Sequence, residues 1–217
     1  MPSKKFKVLI LGSTGMVGSE VLAECIKDDR IKSITVVDRV PTPNPNKKVK
    51  QIIHQNFNDF SKIKKQIIGH DVCFYCIGVY QGSVPKEKFI EITYEYFTKL
   101  AHTIESKKTT FCLFSAGGAD SKSNILFAKW KGECEDYLLK LNFKDIYILR
   151  PGYIHPSNPA KLHKSLNYYI FEALYPIVKF LSTNLSTTSN QLARAMVSVS
   201  LNGFDKKILS NSDIRKF

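Results

Sequence analysis

The chain has 217 residues, 43% of them hydrophobic, and a formal net charge of +13 from 32 basic and 19 acidic residues. That is apolar material for one well-buried domain, not two, and no uncharged apolar run is long enough to read as a membrane span. The basic excess is mostly lysine, with only Arg30, Arg39, Arg150, Arg194 and Arg215 besides, spread in ones and twos without interleaved aromatics. Neither nucleic acid nor a membrane is therefore the expected partner.

The N-terminal "KFKVLILG" reads as a strand buried on both faces of a parallel sheet. Its apolar run is only about six residues long before glycines begin, too short for a signal peptide. "MVGSEVLAECIKDD" follows with apolar residues at helical spacing, then a second strand, "SITVVDR", and a turn-rich loop, "PTPNPNKK". "VKQIIHQNF", "DVCFYCIG", "TTFCLFSAGG" and "KDIYILRPG" read as strands three to six. Helical segments are expected between them, notably Lys86 to Ser106 and Leu126 to Leu141. The alternation predicts βαβ units and a parallel sheet.

Beyond Pro151 the pattern loosens. "KSLNYYIFEALYPIVKFLS" is aromatic-rich and interrupted by Pro176, fit to cover the open end of the sheet, to wall an apolar pocket or to dock a partner. "STTSNQLARAMVSVSL" reads as a capped helix. The expectation is one α/β domain over residues 1–217, a doubly wound parallel sheet of Rossmann type with a small C-terminal helical extension from about residue 155.

Five cysteines, Cys25, Cys73, Cys76, Cys112 and Cys134, lie in apolar segments, which suits buried thiols in a reducing compartment; a cytoplasmic location is expected. Cys73 and Cys76 form a C-x-x-C, but on a strand an i,i+3 pair points to opposite faces, so no metal site is expected there.

The chemical signal is concentrated in "VLILGSTGMVGSEVL". Gly12, Gly15 and Gly18 form G-x-x-G-x-x-G directly after a strand and at the start of a helix. The first permits a tight turn, the second lets the backbone approach a pyrophosphate, and the third lets helix and strand lie close. Ser13, Thr14 and the amides of Met16 and Val17 are further candidates for phosphate contacts at the helix N-terminus. At the end of strand two, Asp38 can accept from an adenosine 2′-hydroxyl, as NAD sites require, while Arg39 can pair with a 2′-phosphate, as NADP sites require.

With the glycine loop, the segments "FYCIGVY", "LFSAGGADSKSNILFAKWKGECE" and "LRPGYI" resemble, in this order, an atypical short-chain dehydrogenase/reductase. More narrowly the chain resembles the Tat-interacting oxidoreductase-like family, small NADPH-binding proteins related to the NmrA-like group, from about Lys7 to about Leu201. The resemblance implies that Gly12, Thr14, Gly15, Met16 and Val17 hold the pyrophosphate and that Asp38 and Arg39 flank the adenosine ribose. It places Asn56 and Phe57 beside the adenine at the end of strand three, where Asn56 replaces the family's usual Asp. It sets Cys76, Ile77 and Gly78 beneath the nicotinamide ribose, and Pro151, Gly152 and Ile154 beside the nicotinamide. Ser115 takes the place of the catalytic serine and Lys131 that of the lysine in Y-x-x-x-K. NADP(H) is narrowly favoured over NAD(H) on this resemblance.

The departure is Phe127, which stands where the family's tyrosine protonates the substrate oxygen. Tyr80, Tyr153 and His155 are the other candidate acids, each with the plainer reading of a pocket-rim or exposed side chain. Three functions follow: an NAD(P)(H)-dependent oxidoreductase or isomerase, weakened by Phe127, acting on a small carbonyl or hydroxyl substrate; a non-catalytic NADPH-binding redox sensor acting through a protein partner; or, on charge alone, a basic protein of nucleic acid or a membrane surface.

Overall fold

The computed structural model describes residues 5–41, 46–157 and 186–217. Strand β1 (Phe6–Leu11) leads into helix α1 (Met16–Lys27), followed by β2 (Ile31–Asp38) and β3 (Val49–Ile53). A short helix, α2 (Lys64–Ile67), precedes β4 (Val72–Tyr75). Next come α3 (Lys86–Ile90), a π-helical turn (Glu91–Glu95) and α4 (Tyr96–Ile104) in direct continuation, then β5 (Thr110–Phe114), α5 (Leu126–Leu139) and β6 (Asp145–Arg150). The chain continues with β7 (Tyr153–His155), β8 (Ser186–Thr188), α6 (Ser189–Asn202), β9 (Ile208–Ser210) and α7 (Asn211–Ile214).

The main sheet has seven strands in the order β3-β2-β1-β4-β5-β6-β9, every neighbouring pair parallel. The strand order reverses between β1 and β4, which opens a crevice at the C-terminal ends of those strands. The apolar run of β1 shows why both faces must be covered. Val8 and Ile10 enter one core layer with residues of α1 and α6, while Leu9 and Leu11 enter the other with Phe97 and Leu100 of α4. All four are 0% exposed, and each fully buried aliphatic of this size contributes about 1.5–3 kcal/mol. Cys73 and Cys76 fall into opposite layers, as their spacing on a strand requires.

The C-terminal part adds strands to the expected helix. "ILS" is a strand, β9, that adds a seventh member to the sheet beside β6, and three residues are too few to show a periodicity in sequence. Tyr153–His155 is likewise not a loop: it pairs in parallel with Ser186–Thr188 as a second, two-stranded sheet. The expected capped helix does form, with the Thr188 side chain accepting from the Gln191 amide. Strand three ends at Ile53, so Asn56 and Phe57 do not close it but lie in the turn beyond. The aromatic stretch from Lys164 to Ser182 lies outside the described residues.

Candidate functional site

The glycine loop sits at the reversal point, and two of its glycines are there because no Cβ fits. Gly12 has φ +81, and a Cβ on it would stand 3.1 Å from the carbonyl of Cys76 and from the Ile77 side chain. This position therefore joins the exit of β1 to the exit of β4. A Cβ on Gly18 would lie 2.0 Å from the Gly12 oxygen, so only glycine lets α1 start against the loop. Gly15 is the N-cap of α1, with no side-chain cap and no acidic residue in the first turn. The first-turn amides, including those of Met16 and Val17, are left to an incoming anion. A dinucleotide pyrophosphate fits this cradle, because the backbone is bare where it would lie and the helix end is uncapped.

Ser13 differs from its expected role. The residue is 0% exposed, and its hydroxyl donates to Asp38 Oδ2 at 2.5 Å, which braces the loop against the end of β2 and turns the side chain away from the cradle. Thr14 and Gly15 are exposed, and Val17 is buried. Asp38 is 3% exposed, whereas Arg39 next to it is exposed and its carbonyl accepts from Gln55 Nε2 at 2.6 Å. Asn56 is exposed, its side-chain oxygen taken by the Asn58 amide at 3.1 Å. The Phe57 ring is turned into the core, against His54, Phe60 and Tyr96. It cannot stack on an adenine, because burying the ring between α4 and the loop wins over exposing it.

At the far side of the crevice, Cys76 is buried, Ile77 half-buried and Gly78 exposed. Lys131 reaches this point from α5. Its Nζ lies 4.0 Å from where a Cβ on Gly78 would stand and 5.6 Å from the centre of the Phe114 ring. Lys131 is only 9% exposed, and burial pushes its pKa below the usual lysine value. Among the described residues it has no hydrogen-bond or salt-bridge partner. Phe127, one turn earlier on the same helix, is half-buried; its amide donates to Gln81 Oε1 at 3.0 Å and its ring lies 6.4 Å from that of Phe89.

Ser115, directly after β5, is also engaged inward. Its hydroxyl donates to the Glu135 carboxylate, and Glu135 is held by Arg150, whose Nε lies 3.0 Å from each carboxylate oxygen. Glu135 is 1% exposed. This triad of buried Ser115 after β5, buried Glu135 on α5 and half-buried Arg150 on β6 was not anticipated from the sequence. The available signal was spacing: Glu135 stands four residues after Lys131, one turn along the same face. Gly132 was also missed. A Cβ there would lie 2.1 Å from the Ser121 amide, so its absence lets the loop after β5 rest on α5. That loop is tied to the loop after β6 by the Gly117 amide, which donates to the Pro151 carbonyl at 2.7 Å. Pro151 is buried and Gly152 exposed, its amide donating to Asn211 Oδ1 at 2.9 Å. Ile154, Tyr153 and His155 are half-buried on β7, and Tyr80 is 77% exposed.

A parallel sheet in this order, with a bare glycine cradle at its reversal and a buried lysine across the crevice, defines a dinucleotide-binding α/β protein of the short-chain dehydrogenase/reductase kind. The family model described as "NAD dependent epimerase/dehydratase family" matches residues 8–122, and the chain belongs to that family. It is 35% identical over 149 residues to "Protein FMP52, mitochondrial" of Candida albicans, covering 66% of this chain and 65% of that protein. It is 28% identical over 149 residues to "Protein HTATIP2" of Rattus norvegicus, covering 67% and 61% respectively. The match thus spans a little less than two thirds of each relative's length. Among solved structures, the Bordetella bronchiseptica enzyme WbmF in complex with NAD+ shares the fold with a TM-score of 0.71 at 12% identity, over 100% of this chain and 78% of that one. MoeE5 in complex with UDP-glucose and NAD does so with a TM-score of 0.66 at 13% identity, over 94% and 74%.

Proposed function

We propose that the protein is an NAD(P)(H)-dependent oxidoreductase or isomerase of the atypical short-chain dehydrogenase type, acting on a small carbonyl or hydroxyl compound in a reducing compartment such as the cytoplasm. The observation that carries this reading is Lys131. An ammonium 9% exposed, without a carboxylate partner, is costly to keep, and it stands across the crevice from the pyrophosphate cradle. A dinucleotide in the crevice would give that lysine ribose hydroxyls to donate to. The loop of Gly12 to Val17 would hold the pyrophosphate, and Cys76 to Gly78 with Pro151 to Ile154 would border the nicotinamide, which supplies or accepts hydride when bound. Five buried, unpaired thiols suit a reducing compartment.

NADP(H) is the favoured cofactor, and Arg39 is the residue that favours it. It is exposed at the adenosine end and its side chain has no partner among the described residues, while the Asp38 carboxylate is already bonded to Ser13. A second reading has its own support. Phe127 has no hydroxyl and the Ser115 proton points at Glu135, so neither side chain offers a substrate a proton, as expected of a regulator that binds NADPH and signals to a partner protein.

The test is a titration with NADPH and with NADH, exciting Trp130, the single tryptophan, and following nicotinamide emission. Saturable transfer is expected, with Lys131→Ala weakening it at least tenfold; unchanged affinity in that variant would remove the basis of the proposal. Arg39→Ala is expected to weaken NADPH about tenfold or more and to leave NADH within about twofold, since an arginine–phosphate pair is worth about 1.5–3 kcal/mol. Equal losses for both would assign the site to NAD(H). Turnover assayed on a panel of small carbonyl compounds then separates the enzyme from the regulator.

A further inference from the structure

Many of the lysines that are scattered along the chain gather at one edge of the sheet. Because every neighbouring pair in the main sheet is parallel, all its strands start at one edge and the crossover helices end there. Every strand of that sheet except β4 has a lysine or arginine within two residues upstream of its first residue: Lys5, Arg30, Lys48, Lys108, Lys144 and Lys207. Strand β4 is preceded by His70 and Asp71; burial lowers the His70 pKa first, the charges of Lys7 and Lys50 lower it further, and Asp71 opposes them. At the opposite edge, Arg39 is the only lysine or arginine that immediately follows a strand of the sheet.

Part of this charge is used locally. Arg30 pairs with Asp28 at 2.7 Å, Lys144 with Asp145 at 3.3 Å, and Lys48 donates to the carbonyls of Ile26 and Asp28 at the end of α1. Lys32, Lys108 and Lys207 are exposed, and among the described residues no salt bridge or side-chain hydrogen bond engages them. Two exposed aliphatic side chains share the edge: Ile68, 45% exposed after α2, and Leu139, 39% exposed at the end of α5. The exposed large aromatic among the described residues, Tyr80, is at the opposite edge, so among them no fully exposed ring offers a base a stacking platform at this edge. Among the described residues no helix is long and apolar enough to cross a membrane.

We infer that the edge where the strands start is a docking surface for an anionic phospholipid bilayer, with Lys32, Lys108 and Lys207 meeting the headgroups while Ile68 and Leu139 enter the headgroup layer. Lysine is a mobile point charge suited to diffuse headgroups, and aliphatic side chains beside it add shallow apolar burial. Docked this way, the crevice faces solution, because it lies at the other end of the same strands. The inference is independent of the chemistry proposed for that crevice.

The experiment is co-sedimentation of the full chain with phosphatidylcholine vesicles, with and without phosphatidylserine, over a range of salt. Binding is expected only with phosphatidylserine and is expected to weaken steeply as salt rises. A lysine near an anionic surface is worth about fivefold in affinity, so K32Q/K108Q/K207Q is expected to weaken binding about a hundredfold. K86Q/K122Q/K129Q makes the same change in net charge at the crevice end and is expected to bind as the parent does. Far-UV circular dichroism checks that both triple variants are folded. Equal weakening in the two variants, binding to phosphatidylcholine alone, or duplex DNA binding that phosphatidylserine vesicles do not displace would each overturn the inference.

Discussion

Replacing Phe127 by tyrosine is expected to raise the turnover of a small carbonyl substrate with reduced dinucleotide by about 10²–10³-fold, with cofactor affinity unchanged. The ring at this position is half-buried and already packed 6.4 Å from Phe89, so a para-hydroxyl adds one polar atom without a new packing problem. What it adds chemically is a proton donor at the position from which the family's tyrosine works. Lys131 lies one turn further along α5, and a nearby cation favours the phenolate and so lowers the tyrosine's pKa. General acid–base catalysis is worth about 10²–10⁴-fold, or about 3–5 kcal/mol of barrier. Phe127→Leu is the control and is expected to give no gain. If Phe127→Tyr binds dinucleotide normally and reduces nothing in a broad carbonyl panel, the regulator reading takes the place of the enzyme reading.

Replacing Arg150 by alanine is expected to destabilise the fold by about 3–5 kcal/mol, the cost of leaving a buried charge without its partner. For a chain of this size that lowers the thermal midpoint by about 6–20 °C. The asymmetry within the pair makes the prediction specific. The Glu135 side chain is 2% exposed and that of Arg150 32%, so a lone Glu135 carboxylate cannot reach water, whereas a lone Arg150 partly can. Glu135→Ala is therefore expected to cost less than Arg150→Ala, and Ser115→Ala less again, about 1.5–3 kcal/mol for one lost hydrogen bond to a charged group. Thermal or urea unfolding of the three variants gives the order directly. Arg150→Ala with the midpoint of the parent would show that Glu135 has another means of compensation.

These two expectations differ in how far the sequence supported them. Phe127 was visible as soon as "ILFAKWKG" was compared with the spacing of a tyrosine and lysine on one helix, because that spacing is local. The Ser115–Glu135–Arg150 triad joins three elements whose residues are 15 and 20 positions apart, and no periodicity encodes such a contact. The same limit explains Ser13 and Phe57. Ser13 stands in the glycine loop and Phe57 in the turn beyond strand three, but whether a side chain faces the crevice or the core depends on what packs behind it. For Ser13 that is Asp38, 25 residues away; for Phe57 it is Tyr96 on α4.

By itself the sequence determined the sheet class, the cradle and the helix of Lys131, since each rests on patterns within a few turns of chain: an apolar run, three glycines at fixed intervals, a stretch with helical periodicity. Only the tertiary structure decided that "ILS" is the seventh strand, that the serine proton points inward, and that lysines dispersed in ones and twos share an edge. The last follows from strand direction. Residues just ahead of different strands are tens of positions apart along the chain, and a wholly parallel sheet sets them side by side.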